Sequence, residues 1–197
     1  MISCKKNENS PNTGLKTSAG GDDLDLKYEV LNQLIDKDSI SLQENKDVLI
    51  IPLQTVYLFE EENNDEPRPL GANLKYDSVF SIKDSAYYKN QEKIALNFKL
   101  DTTKIKRKLQ YATEEDLHHL RQLTENGKKD FWAEFHAKFG NKCFRKFSAP
   151  FFNKEKTICM VQNSISCGYL SGSGYTAIYK KIKGQWVEVE ILDQWIS

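Results

Sequence analysis

The last quarter of the chain, Phe144 to Ser197, sets the terms for everything before it. Four runs of strand-forming residues alternate there with turn signals. The first, Phe144 to Phe152, carries Phe144, Phe147, Phe151 and Phe152. It ends on Asn153-Lys154-Glu155-Lys156, a polar tetrapeptide suited to a hairpin on a type I turn. The second, Thr157 to Ser166, is rich in β-branched residues. Cys167 to Gly174 reads as a loop, because three glycines admit positive φ. Gly-Ser-Gly-Tyr opens a strand rather than a helix and no Gly-Lys-Ser/Thr follows, so the loop reads as a turn and not as a phosphate cradle. The third run, Tyr175 to Ile182, sets Tyr175, Ala177 and Tyr179 on one face and Thr176, Ile178 and Ile182 on the other. Lys183-Gly184 makes the next turn. In the last run Val187, Val189 and Ile191 oppose Trp186, Glu188 and Glu190, the alternation of a half-buried antiparallel strand.

The residues ahead of this meander read as a helical cover and a tether. Leu26, Val30, Leu31, Leu34 and Ile35 recur at helical spacing across Asp25 to Asp38, with Asp22 or Asp23 as caps. Val48 to Phe59 is a long apolar strand region broken at Pro52. Glu60 to Pro69 is acidic but lacks the donor spacing and fixed glycine of an EF-hand, so it reads as a solvated loop. A short helix is expected over Asp84 to Glu92 and a strand over Ile94 to Leu100. Thr113 and Asp116 have the spacing of a capping box for a helix running to about Thr124, which Asn126-Gly127 ends. Asp130 to Phe139 is amphipathic, with Phe131, Phe135 and Phe139 on one stripe, and Gly140 closes it.

The expected fold is therefore α+β: a mainly antiparallel sheet with a C-terminal four-stranded meander, covered by several helices. A single domain spans 24–197, its cover at 24–140 and its meander at 144–197, behind a start and tether at 1–23. A cone-shaped sheet with helices over its concave side, similar to nuclear transport factor 2-like proteins, meets these terms.

Lys+Arg and Asp+Glu number 28 each, so there is no net positive field of the kind a nucleic-acid binder relies on. The balance hides a polarity, −5 over residues 1–100 and +5 over 101–197. The plain reading is that two faces of one domain attract each other. The sharper one is a basic surface around Lys138, Lys142, Arg145 and Lys146 facing an acidic partner. The sequence holds no run of 18 apolar residues.

Ile2-Ser3-Cys4 resembles the end of a bacterial lipoprotein signal: a small residue before a cysteine, then a polar stretch from Asn7 to Asp23 with Leu15 as its one large apolar residue. Such a stretch cannot bury enough surface to offset its ordering entropy, and it suits a tether. The pattern Phe147-Ser148-Ala149-Pro150-Phe151-Phe152-Asn153, then Cys167 to Tyr175, Gly184-Gln185-Trp186 and Trp195-Ile196-Ser197 resembles the end of a family of uncharacterised bacterial lipoproteins, and the Trp132 to Gly140 helix fits it. The resemblance implies a lipid on Cys4, a membrane contact through it, and a place in the cell envelope at the outer membrane, on its periplasmic or surface face. A cytoplasmic protein is the other reading. The family carries no activity to transfer.

Candidate chemistry is sparse. Glu115 and His119 share a helix face at four-residue spacing, but two ligands fall short of a zinc site. With Cys4 set aside, a disulfide could join Cys159 to Cys167 or Cys143 to Cys167. No GxSxG, Walker loop or dinucleotide fingerprint is present, and no cofactor is expected. Two functions remain open. One is a non-enzymatic, lipid-anchored module that binds a protein partner, with a protective or immunity-type role as its specific form. The other is a small-molecule binder or enzyme with a pocket between helices and sheet, lined by Tyr87, Tyr88, Trp132 and Tyr175.

Overall fold

The computed structural model describes residues 21–37, 47–50, 56–59, 72–95, 98–125 and 127–197. Cys4, the expected tether as far as Gly20 and the acidic segment 60–69 lie outside these residues; Gly21 to Asp23, expected as the end of the tether, are helical. The fold is α+β. Helices α1 (Gly21–Lys37), α2 (Ser85–Ala95), α3 (Glu114–Thr124) and α4 (Phe131–Phe139) cover a sheet that is mainly antiparallel. Its order is β4 (Gln110–Tyr111), β1 (Asp47–Ile50), β5 (Cys143–Phe147), β7 (Ile158–Gly168), β8 (Ser171–Ile182), β9 (Gln185–Ile196), and β6 (Phe151–Phe152) pairs with β7 beside β5. β1 runs parallel to both its neighbours, and every pairing from β5 to β9 is antiparallel. A separate parallel pair joins β2 (Val56–Phe59) to β3 (Ala72–Lys75).

Helices lie on both faces of the sheet, so the cone with a single covered side does not hold. Period-two alternation explains this. On β7 and β8, Cys159, Val161, Ala177 and Tyr179 face α1 and pack with Tyr28, Val30, Leu31, Leu34 and Ile35. Met160 and Ile178, one residue out of step, face α2 and pack with Phe80, Tyr88 and Phe151. Further along that second face, Phe144 meets Trp132, Phe135 and Phe139 of α4, together with Leu117 and Leu120 of α3. The expected aromatic stripe of α4 does face the sheet, with Phe135 fully buried.

Local chemistry sets the element ends. Thr113 Oγ1 accepts from Asp116 N–H, and the Asp116 carboxylate accepts from Thr113 N–H, completing the capping box of α3. Burial alone would raise the Asp116 carboxyl, but Lys138 and Thr113 hold it below its ordinary value. Asp130 caps α4, and Gly140 ends it at φ 85°. Lys183 and Gly184 both have positive φ, the requirement of a two-residue type I′ hairpin between β8 and β9.

Several expectations need correction. Asp22 and Asp23 lie inside α1, not before it. The Val48 to Phe59 run is divided between β1 and β2, which belong to different sheets. Ile94 belongs to α2, and residues 98–100 form no strand, although Phe98 and Leu100 pack against the α1 core. Ser148 to Pro150 splits the first C-terminal run, since proline cannot donate to a ladder. The Cys167 to Gly174 stretch is strand at both ends, and its turn is only Tyr169-Leu170. Gly172 and Gly174 sit inside β8 because Trp195 lies over them. A Cβ on Gly174 would come within 2.7 Å of both the Trp195 ring and Ser164 Cβ.

β9 departs most from its expected pattern. Val189 and Leu192 have no partner in the β8 register, which marks a bulge at each. One extra residue inverts the parity of a strand, so Val187 pairs with Lys180 and Ile191 with Ala177, on opposite faces. Val187, Val189 and Ile191 are all exposed, and the buried residue of β9 is Trp186.

Candidate functional site

Trp186 is rooted in α1 by three side chains at four-residue spacing, the interval that keeps residues on one helix face. Glu29 Oε1 accepts from the indole N–H at 3.1 Å. The Gln33 amide accepts from Trp186 N–H at 2.9 Å and donates to its carbonyl at 3.1 Å. Lys37 Nζ donates to the same carbonyl at 2.7 Å, and Lys181 pairs with Glu29. Two other helix amides do the same work. Gln91 of α2 brackets Phe152 N–H and C=O, and Asn32 of α1 bridges Lys106 N–H and Lys104 C=O. All three satisfy backbone groups that no ladder reaches.

Beyond Trp186, β9 is the last strand of the sheet, and among the described residues nothing pairs with its outer side. Val189 is 52% exposed and Ile191 49%, with Leu192, Trp195 and Ile196 also exposed. Glu188, Glu190 and Asp193 intersperse them, and no Lys or Arg occurs from Gln185 to Ser197. This is an acidic, apolar edge.

A second feature lies on the α1 face. α1 ends at Lys37, and past it the sheet forms the floor of an open cavity of about 300 Å³. Leu34 and Lys37 wall it from the helix; Arg145, Phe147, Asn163, Ser173, Tyr175, Tyr179 and Glu188 contribute from four adjacent strands. Asn163 Nδ2 donates to the Tyr175 hydroxyl at 3.3 Å, and the Tyr179 hydroxyl donates to Glu188 at 3.3 Å. Burial, then the nearby Tyr175, Glu188 and their hydrogen bonds, push the Tyr179 phenol up, so it stays a neutral donor. Arg145 stacks its guanidinium toward the Phe147 ring, 6.0 Å from the centroid.

The four aromatics expected to line one pocket do not meet. Tyr88 is fully buried in the α2 core, with Tyr87 packed beside it. Trp132 is buried under α4, stacked on Phe144 at 5.2 Å between ring centroids. Only Tyr175 reaches the cavity. The basic quartet also disperses. Lys138 pairs with Asp116 and Lys142 with Gln110, while Arg145 and Lys146, adjacent on β5, point to opposite faces. Glu115 and His119 are exposed on α3, and among the described residues no group of three or more His, Cys, Asp or Glu could hold a metal.

The disulfide joins Cys143 to Cys167, with Cα atoms 4.2 Å apart. Cys167 is the extra residue of a bulge between Ser166 and Gly168, directly across from Cys143. The Cys159–Cys167 alternative fails on geometry, because both lie on β7, eight residues apart and roughly 26 Å along an extended strand. Cys159 is a buried free thiol, its pKa pushed up by burial.

No family model, curated protein or solved structure matches this chain. Among the described residues no helix is long and apolar enough to cross a membrane. Functional argument therefore rests on the site itself.

Sequence reasoning missed Lys37, Asn163, Tyr179 and Glu188, and it placed Arg145 in another setting. A signal was there for Asn163. It shares the parity of Cys159 and Val161, so a polar side chain falls on a core-facing position. Glu29, Gln33 and Lys37 likewise repeat every four residues.

Proposed function

We propose that this protein is a non-enzymatic binding module whose contact surface is the β9 edge, held at a membrane by a lipid on Cys4. The observation that carries the first part is the row of large apolar side chains on a strand whose outer edge no described residue pairs with. Monomeric proteins usually blunt such edges, and open ones accept a strand from a partner. With three carboxylates and no base on β9, the fitting partner is an extended protein segment that alternates apolar and basic residues. The partner's main chain supplies hydrogen bonds, and its Lys or Arg side chains meet Glu188, Glu190 and Asp193.

The membrane part rests on the lipobox-like Ile2-Ser3-Cys4 and on the polar stretch that follows it. A lipid anchor needs such a spacer before a folded domain. Its setting is the cell envelope.

Both parts are testable in cells of the source organism. A photoreactive residue at position 189 or 191 should trap one discrete protein adduct, and Ile191→Lys with Val189→Lys should abolish it. A control residue at exposed position 119 should trap none. Equal yields at all three positions would refute the β9 surface. Separately, Cys4→Ser should release the native product from the membrane fraction and abolish fatty-acid labelling; an unchanged distribution would refute the anchor.

A further inference from the structure

The sheet face opposite α1 carries a second, smaller pocket that the partner-binding reading does not use. Two adjacent rungs across β7, β8 and β9 build it. Gln162, Thr176 and Asp193 lie abreast in one rung, and Ser164, Gly174 and Trp195 in the next. Residues abreast point to one side of a sheet, so these share the face of Met160 and Ile178, one rung further along. Gln162, Ser164, Thr176, Asp193 and Trp195 line a pocket of about 90 Å³. We infer that this pocket binds a pyranose sugar, its ring stacked on Trp195 and its hydroxyls held by Asp193, Thr176 and Gln162.

The indole carries the assignment. A Cβ on Gly174 would meet Trp195 Nε1 at 2.7 Å and Cε2 at 2.8 Å, and one on Gly172 would meet Cζ3 at 3.3 Å. Nε1 and Cζ3 sit at opposite edges of an indole, so the ring lies flat along β8, on two residues that have no side chain to lift it. One broad side rests on backbone and the other is turned outward, which leaves Trp195 45% exposed. The chain beyond it is pinned: Gly172 and Ser197 exchange both of their backbone hydrogen bonds. A flat aromatic surface fixed in advance loses little freedom when a ligand settles on it.

A pyranose has two unlike surfaces, a broad side of C–H bonds and a rim of hydroxyls that each donate and accept. The π-face of an indole is the negative side of its quadrupole and attracts polarised C–H groups. Beside that face, the Thr176 and Ser164 hydroxyls and the Gln162 amide can each donate and accept, and the Asp193 carboxylate accepts. Thr176 is buried and forms the floor, whereas Asp193 stands exposed at the wall beside the ring. The size sets the mode of binding. At about 90 Å³ the pocket is well below the roughly 300 Å³ at which enclosing sites begin, so it takes one hydroxylated edge while the ring lies over Trp195.

The probes are the methyl pyranosides of glucose, galactose, mannose and N-acetylglucosamine, with sorbitol as a polyol that has hydroxyls but no ring face. Trp132 and Trp186 are buried, so of the three tryptophans Trp195 is the one open to acrylamide quenching. At least one pyranoside should protect it saturably, with a Kd on the order of 1 mM, and should shift the Trp195 indole N–H and the Thr176 and Asp193 amides. Sorbitol should do neither. Trp195→Ala should abolish the amide shifts, and Trp195→Phe should keep them at several-fold weaker affinity. Asp193→Ala, an exposed position, should weaken binding about fivefold or more with Tm unchanged. Val189→Lys, on the proposed partner edge, should leave sugar binding intact, so the two surfaces fail separately. Absence of saturation by all four pyranosides up to about 50 mM would overturn the inference. Equal binding of sorbitol would also overturn it, as would an affinity that either Trp195→Ala or Asp193→Ala leaves unchanged.

Discussion

β8 and β9 are both twelve residues long, adjacent, and joined by a two-residue turn, yet they meet opposite fates. β8 buries Gly174 and the run from Thr176 to Tyr179, with α1 on one face and α2 on the other. β9 buries Trp186 alone. Their strand-forming residues are similar. What differs is position: among the described residues β8 has a neighbour on each side and a helix over each face, whereas β9 has one neighbour and touches α1 only near its start. Alternation in a sequence says that two faces differ. It does not say that either face is covered, and a single bulge reverses which residue lies where.

The sharpest way to break this comparison is to remove the one buried side chain of β9. Trp186→Ala should cost about 3–5 kcal/mol, read by urea unfolding, because it opens a cavity and removes the indole N–H that Glu29 accepts, while the Gln33 and Lys37 bonds to the backbone of residue 186 can persist. A loss below about 1 kcal/mol would mean β9 is not anchored there. Next comes the link beneath the interior strands. Replacing Cys143 and Cys167 together by Ser frees a loop with a separation of 24 residues and should cost about 3 kcal/mol. The measurement is Tm under oxidising conditions, and the variant should match reduced wild-type protein.

Smaller effects sharpen the contrast. Gly174→Ala should cost about 1–3 kcal/mol, as its Cβ would collide with Trp195 and Ser164. Adding Trp195→Ala should recover part of that loss in a double-mutant cycle, since Ser164 Cβ cannot move aside as an edge side chain can. Smallest of all is Ile191→Ala, expected to change stability by under about 1 kcal/mol despite its position opposite the buried Ala177. A larger loss would show that the apolar row of β9 supports the fold.

The meander was legible because turns and β-branched runs are local signals. Lys183-Gly184, the Thr113 capping box and the Phe131-Phe135-Phe139 stripe each rest on residues within one or two turns of each other. The parallel pairing of β1 with β4 and β5 was not legible, because partners 62 and 96 residues apart in Val48–Gln110 and Val48–Phe144 leave no local mark. The glycines of β8 misled for a related reason: Gly172 and Gly174 read as loop residues until Trp195, near the end of the next strand, is seen lying over them. The aromatics Tyr87, Tyr88 and Trp132 misled because large rings fill cores as readily as they line pockets. Only Tyr175, at the end of the sheet that α1 leaves open, reached the cavity.

The amides of Asn32, Gln33 and Gln91 carry one more consequence. Each reads a donor and an acceptor together, so each fits a single setting of its helix against the backbone it touches. Sliding α1 forward by one residue would swing Gln33 about 100° around the axis and forfeit both contacts at once. Grease alone tolerates such slippage, since apolar faces are forgiving of small translations. These three side chains act instead as indexing teeth. An acid of equal size at any of them would jam the mechanism, meeting a carbonyl with an oxygen where a hydrogen is required.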